Sequence, residues 1–133
     1  MTAKIITTDS NSAGLLDISQ VEPYFGDEVV PLPSKKVVLL IKPYQKTEYM
    51  VHAPPLGLLY LASGLRKKFG DMVDVHVIDM KLHYQAPDKA RELFERYQPD
   101  VVGLSALNFE FESSDLISQY AKQHNPDCLT VLG

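Results

Sequence analysis

The chain predicts an α/β fold, a doubly wound parallel sheet with strand order 2-1-3-4, and three observations carry that expectation. Four short segments rich in Val, Ile and Leu recur along the chain with the length of strands. Stretches with apolar residues at helical spacing separate them, so the pattern alternates βαβα. The first strand segment, Val37–Ile41, is continuously apolar, as expected where helices cover both faces of a parallel sheet.

Residues Met1 to Ser34 mix small polar residues with acids and carry Pro23, Pro31 and Pro33. They read as an amino-terminal extension, an arm or wrap, ahead of a domain spanning 35–133. Strand one is Val37–Ile41. Across Pro55 to Phe69 a helix places Leu58, Leu61, Ala62, Leu65 and Phe69 on one face. Arg66, Lys67 and Lys68 lie at its end, where cations favour the dipole, and Gly70 stops it. Pro54 and Pro55 suit the start, because a proline's missing N–H would lack a helical partner there in any case.

Asp74–Asp79 reads as strand two, and Asp88–Gln98 as a helix burying Ala90, Leu93, Phe94 and Tyr97, closed by Pro99. Strand three is Asp100–Ala106. A loop through Leu107–Glu112 leads to a helix over Ser113–His124 that buries Leu116, Ile117, Tyr120 and Ala121. Cys128–Leu132 is strand four. Right-handed βαβ connections then give the order 2-1-3-4. Folds of this Rossmann-like (flavodoxin-like) kind continue after strand four with another helix, a fifth strand and a closing helix. The domain is therefore expected to lack its last strand and helices, and the open edge of strand four is expected to pair with another copy or to be covered.

At 133 residues and 45% hydrophobic content the chain is long enough for one core. A net charge of −4 argues against nucleic acid as the main ligand. The adjoining Arg66, Lys67 and Lys68 read as a solvated helix end. One cysteine, Cys128, excludes an internal disulfide and reads as a buried structural thiol. Neither an apolar run of membrane-spanning length nor a signal-peptide pattern is present, so the expected location is the cytoplasm, away from membrane.

In an open α/β sheet, ligands bind beyond the carboxyl ends of the strands where the strand order reverses, here between strands one and three. The loop Lys42–Ala53 and the segment Gly103–Glu110 meet there. A dinucleotide site needs Gly-x-Gly-x-x-Gly after strand one, and this loop has no glycine before Gly57. Asp79 stands where such sites carry a ribose-binding acid, but without those glycines it reads as a turn or capping residue. A phosphate-accepting receiver domain is disfavoured as well, because Ser105 stands at the end of strand three and Lys42 and Pro43 occupy the place of the acidic pair.

What remains suits a bulky amphipathic ligand in a wide opening lined by Tyr44, Tyr49, Pro54, Leu56, Leu107 and Phe109, with polar contacts from Ser105 and Asn108. Glu110 and Glu112 read as carboxylates solvating their loop. No acid, base or nucleophile set is legible.

Five segments in order, Val37–Ile41, Ala53–Ser63, Val75–Asp79, Pro99–Ser105 and Val131–Gly133, resemble the amino-terminal cobalamin-binding domain of cobalamin-dependent radical S-adenosylmethionine enzymes. The resemblance implies cobalamin across the carboxyl ends of the strands, its nucleotide tail reaching between strands one, three and four. Carried over by position, Pro43, Tyr44, Pro54, Leu56 and Gly57 face the corrin, Ser105, Ala106, Leu107 and Asn108 line the tail channel, and Gly133 begins a glycine turn. It further implies a missing carboxyl-terminal barrel that binds a [4Fe-4S] cluster and S-adenosylmethionine, with methyl transfer or another radical reaction in the full-length protein.

Cobalamin proteins of the methionine-synthase type carry Asp-x-His-x-x-Gly after strand one. His52 lies in the matching loop, but Val51–Gly57 has the wrong spacing and lacks the aspartate, so His52 reads as a loop residue, with cobalt ligation the lesser alternative. His76 reads as facing solvent or a helix. Two other functions compete: a ligand-free α/β interaction or regulatory domain, and a nucleotide-binding doubly wound domain.

Overall fold

The computed structural model describes residues 31–46 and 53–133. Its four strands are β1 (Lys36–Lys42), β2 (Val73–Asp79), β3 (Val101–Leu104) and β4 (Leu129–Leu132), and its three α-helices are α1 (Leu56–Phe69), α2 (Ala90–Tyr97) and α3 (Phe111–His124). The strands form one parallel sheet in the order β2-β1-β3-β4, as the alternation of elements predicts. The register sets Lys42 opposite Asp79 and Ile41 opposite Leu104, so the carboxyl ends of β1, β2 and β3 finish nearly level.

Alternation along the strands splits the core into two layers. Val38 and Leu40 of β1 meet Leu58 and Ala62 of α1, together with Val73 and Val75 of β2. Leu39 and Ile41 point the other way, into Ala90 and Phe94 of α2 and Ile117 and Ala121 of α3. This two-sided burial is why β1 is apolar at consecutive positions. Of the amino-terminal extension, Leu32 packs against the α1-side core, and residues 1–30 lie outside the described residues.

Helix ends differ from the predicted ones by local chemistry. Pro55 is the cap before α1 and not its first residue. Gly70 ends α1 at φ 57° and ψ −136°, a conformation that a Cβ disfavours. The predicted start of α2 is instead a 3₁₀ turn, Pro87–Lys89, which runs into the helix, and Gln98 closes α2 in the left-handed region ahead of the buried Pro99. In α1, Leu58 and Ala62 are buried with Leu65 and Phe69 packed beside them, but Leu61 is exposed, because its side chain lies off the stripe that meets the sheet. Arg66 is not only a solvated cation: its guanidinium donates to the Val75 carbonyl and ties α1 to β2.

Three individual expectations are met. Cys128 is buried, and that burial pushes its thiol up in pKa against the opposing pull of Lys122. Asp79 caps the 3₁₀ turn Met80–His83, accepting from the Lys81 N–H at 2.9 Å. His76 faces a helix, its ring 4.4 Å from that of Tyr97.

Gly103 sits in a tight spot for a different reason. A Cβ there would lie 2.8 Å from Cδ2 of Leu40 on the neighbouring strand. On β4, Leu129, Val131 and Leu132 are exposed, and among the described residues this strand pairs only with β3. No helix among the described residues is long and apolar enough to cross a membrane.

Candidate functional site

β3 ends at Leu104, two residues before the predicted end, because the chain leaves the ladder once its last bonds are made. The Ser105 N–H donates to Ile41 O at 3.0 Å, the Ala106 N–H to Gly133 O at 3.1 Å, and the Gly133 N–H to Leu104 O at 2.9 Å. These bonds bring Ser105, Ala106 and Gly133 together at the end of the sheet.

Beyond that end lies a cavity of about 230 Å³ at the reversal of strand order. The end of β1 contributes Lys42, and the entry to α1 contributes Ala53, Pro54, Pro55, Gly57 and Leu58. Lys81 comes from the turn after β2, and Ser105 and Leu107 from the segment after β3. Gly57 leaves room: a Cβ built there meets nothing within 4 Å. A side chain at that position would project into the free space by the opening.

Of the residues singled out by sequence, Pro54, Gly57, Ser105 and Leu107 line this cavity. Leu56, Asn108 and Phe109 are exposed near it in the chain, and Ala106 is half-buried beside Gly133. Pro43 and Tyr44 do not line it. Pro43 is fully buried, and Tyr44 packs edge-on against Tyr84, with its carbonyl accepting from Ser113 Oγ. Tyr44 also packs against the α2- and α3-side core, so neither residue is among those that line the cavity. Tyr49 and His52 lie outside the described residues, and among the described residues no cluster of His, Cys, Asp and Glu is arranged to hold a metal ion.

The largest departure from the sequence reading is Glu110. It is not a solvated loop residue but fully buried. The segment expected to be a loop closes as a 3₁₀ turn, Asn108–Glu110, that runs directly into α3. Glu110 Oε2 accepts from the Leu107 N–H at 2.9 Å and from Lys42 Nζ at 2.8 Å, while Oε1 pairs with Lys81 Nζ. Burial pushes this carboxyl upward in pKa. The Leu107 N–H and the two ammonium groups outweigh that push and hold it below the usual carboxylate range. Glu112, two residues further on, does remain exposed, accepting weakly from Gln45.

One carboxylate thus joins three segments that wall the cavity: the end of β1, the turn after β2 and the turn after β3. Sequence reasoning passed over Lys81 and misjudged Glu110. The available signal was slight: Lys42 and Lys81 each stand at or just past a strand's carboxyl end, and Glu110 follows Leu107 at the spacing of a capping box.

The donor set fits a large amphipathic cofactor. Pro54, Pro55, Leu58 and Leu107 offer apolar contact, the two ammonium groups and the Ser105 hydroxyl offer hydrogen bonds, and Gly57 leaves the entrance wide. A hollow of about 230 Å³ admits only part of so large a molecule. Leu56, Leu107 and Phe109 are exposed apolar side chains in the segments that enter α1 and follow β3.

Comparison with known proteins points to the same ligand. The chain is 36% identical over 80 residues to the anaerobic magnesium-protoporphyrin IX monomethyl ester cyclase of Rubrivivax gelatinosus, a match covering 60% of this chain and 14% of that protein. It is 28% identical over 101 residues to an uncharacterized methyltransferase of Pyrococcus horikoshii, covering 74% of this chain and 21% of the relative. The chain therefore spans only a small part of the length of these relatives. A family model of the B12 binding domain matches residues 47–133, which include α1, the turn after β2 and the whole segment after β3. The chain belongs to the B12-binding domain family.

Proposed function

We propose that this chain is the cobalamin-binding module of a radical S-adenosylmethionine enzyme, and that the cofactor lies over the carboxyl ends of β1 and β3. The observation that carries the reading is the cavity at the strand-order reversal, walled by a glycine-opened helix start and furnished with hydrogen-bond donors. In this reading Pro54, Leu56 and Gly57 face the corrin, while Ser105, Ala106, Leu107 and Asn108 accompany the nucleotide tail, and Gly133 opens the turn that lets the tail pass backbone. When bound, cobalamin supplies a cobalt centre able to carry a methyl group or to assist a radical reaction. The residues of this chain bind and orient the cofactor and keep water from its covered face.

The whole protein's reaction belongs to the same proposal. A barrel holding a [4Fe-4S] cluster and S-adenosylmethionine would work with this module, in the cytoplasm, on a substrate that this module does not itself select. The names of the two relatives, a cyclase and a methyltransferase, support a choice between ring-forming radical chemistry and methyl transfer.

The test is a titration of the purified chain with hydroxocobalamin, followed by visible absorbance and by equilibrium dialysis. Saturable binding with a shifted spectrum is expected. A folded chain that leaves the spectrum unchanged and retains no corrinoid would overturn the reading in favour of a ligand-free interaction domain, and a fluorescence response to NADH or a flavin would favour a nucleotide site.

A further inference from the structure

Two ammonium groups share one buried carboxylate at the wall of the cavity. Lys42 and Lys81 have side chains only 14% and 12% exposed, and among the described residues both form their ion pair with Glu110, whose side chain is 0% exposed. A structural ion pair needs one cation for each carboxylate. A second ammonium in such surroundings adds desolvation cost with no second carboxylate to offset it.

Donor and acceptor counts point the same way. Two ammonium groups bring about six N–H donors, and a carboxylate offers about four lone-pair sites. One of those sites is already taken by the Leu107 N–H. Donors therefore exceed what Glu110 can accept, and both lysines line the cavity, where a ligand would bring acceptors of its own. The Lys81 ammonium also lies over the Phe109 ring, 5.4 Å from its centroid, a second contact that fixes its position.

We propose that Lys42 and Lys81 form an acceptor-binding subsite for the cofactor: they donate hydrogen bonds to its oxygen atoms, and Glu110 is the positioning residue that holds both ammonium groups in place. The inference rests on the cobalamin reading. Cobalamin presents two kinds of acceptor, the amide carbonyls around the corrin and the phosphodiester of the nucleotide tail. Either is matched by a lysine ammonium. The arrangement also explains why a buried carboxylate spans three separate segments: it fixes the distance between two donors that arise from different strands.

The experiment uses the full chain and its variants Lys42→Met, Lys81→Met and Glu110→Gln, with Lys89→Met as a control for loss of an exposed positive charge. Each is titrated with hydroxocobalamin and with cobinamide, which lacks the nucleotide tail, and its thermal midpoint is recorded. The lysine variants and Glu110→Gln should weaken cobalamin binding by about ten-fold or more, as loss of a charged hydrogen bond does, while Lys89→Met binds as the parent chain. An equal loss with cobinamide assigns the contact to the corrin amides, and a loss confined to cobalamin assigns it to the phosphodiester. If the parent chain binds and both lysine variants bind within about two-fold of it while their thermal midpoints fall, the cluster is purely structural and this inference is overturned. If the parent chain binds neither corrinoid, the cobalamin reading itself falls and takes this one with it.

Discussion

Glu110 shows how far a single residue's role depends on its surroundings. In the sequence it is one of two acids in the segment 107–112; in the fold it is fully buried and ties the end of β1 to the turn after β2. Its lowered pKa fixes the sign of a pH effect. A carboxylate whose folded pKa lies below its unfolded one stabilises the fold above the ordinary value near 4.5, and that contribution is lost as the pH falls through the folded value. The urea midpoint of the parent chain should therefore drop as the pH is lowered from about 6 to about 3, and Glu110→Gln should flatten that part of the profile. An unchanged profile in the variant would show that other carboxylates govern acid stability. Gly57 offers a complementary test, because it faces open space and has an ordinary helical backbone. Gly57→Leu should leave the thermal midpoint near or above that of the parent chain, since leucine favours helix, while weakening hydroxocobalamin binding by about ten-fold. Undiminished binding would place the cofactor elsewhere.

The elements themselves were largely legible, because each is bounded by a residue with a strong local rule. Gly70 terminates α1 at a positive φ, and its replacement is expected to be costly: Gly70→Ala should lower stability by about 1–3 kcal/mol, read from the denaturant midpoint. Gly103 is a milder case. Its added methyl would press on the tip of a flexible Leu40 side chain, so Gly103→Ala should cost about 1 kcal/mol. A larger loss at Gly103 than at Gly70 would reverse this ranking. What the sequence hid at this scale was the segment after β3. No periodicity shows that Asn108–Glu110 tightens into a turn, because the turn is closed by a side chain, Glu110, reaching back to the Leu107 N–H and across to two other strands' ends.

For the whole molecule, the order β2-β1-β3-β4 puts the apolar β1 at the centre and leaves β4 with one partner among the described residues. Its Leu129, Val131 and Leu132 are exposed, and unpaired edges of that kind are templates for further strand pairing. We expect the isolated chain to self-associate through this edge. Light scattering coupled to size exclusion should show a concentration-dependent dimer, and Val131→Lys should shift it toward monomer; a monomer at all concentrations would mean that the edge is otherwise protected.

The sequence by itself determined the fold class, the strand order and the resemblance that the B12-binding family match bears out. Those follow from periodicity and chain connectivity, which are local or nearly so: β1 announces two-sided burial, and alternating strands and helices leave few topologies. Tertiary structure decided which side chains face the cavity. Pro43 turned out to be buried and Tyr44 turned toward Tyr84, while Lys42, Lys81 and Glu110, separated by up to 68 residues, converged on one point. Such an encounter leaves no pattern in the chain, because it is set by the parallel register that brings the ends of β1, β2 and β3 level, and by the low-dielectric interior that makes a buried carboxylate gather its counter-charges.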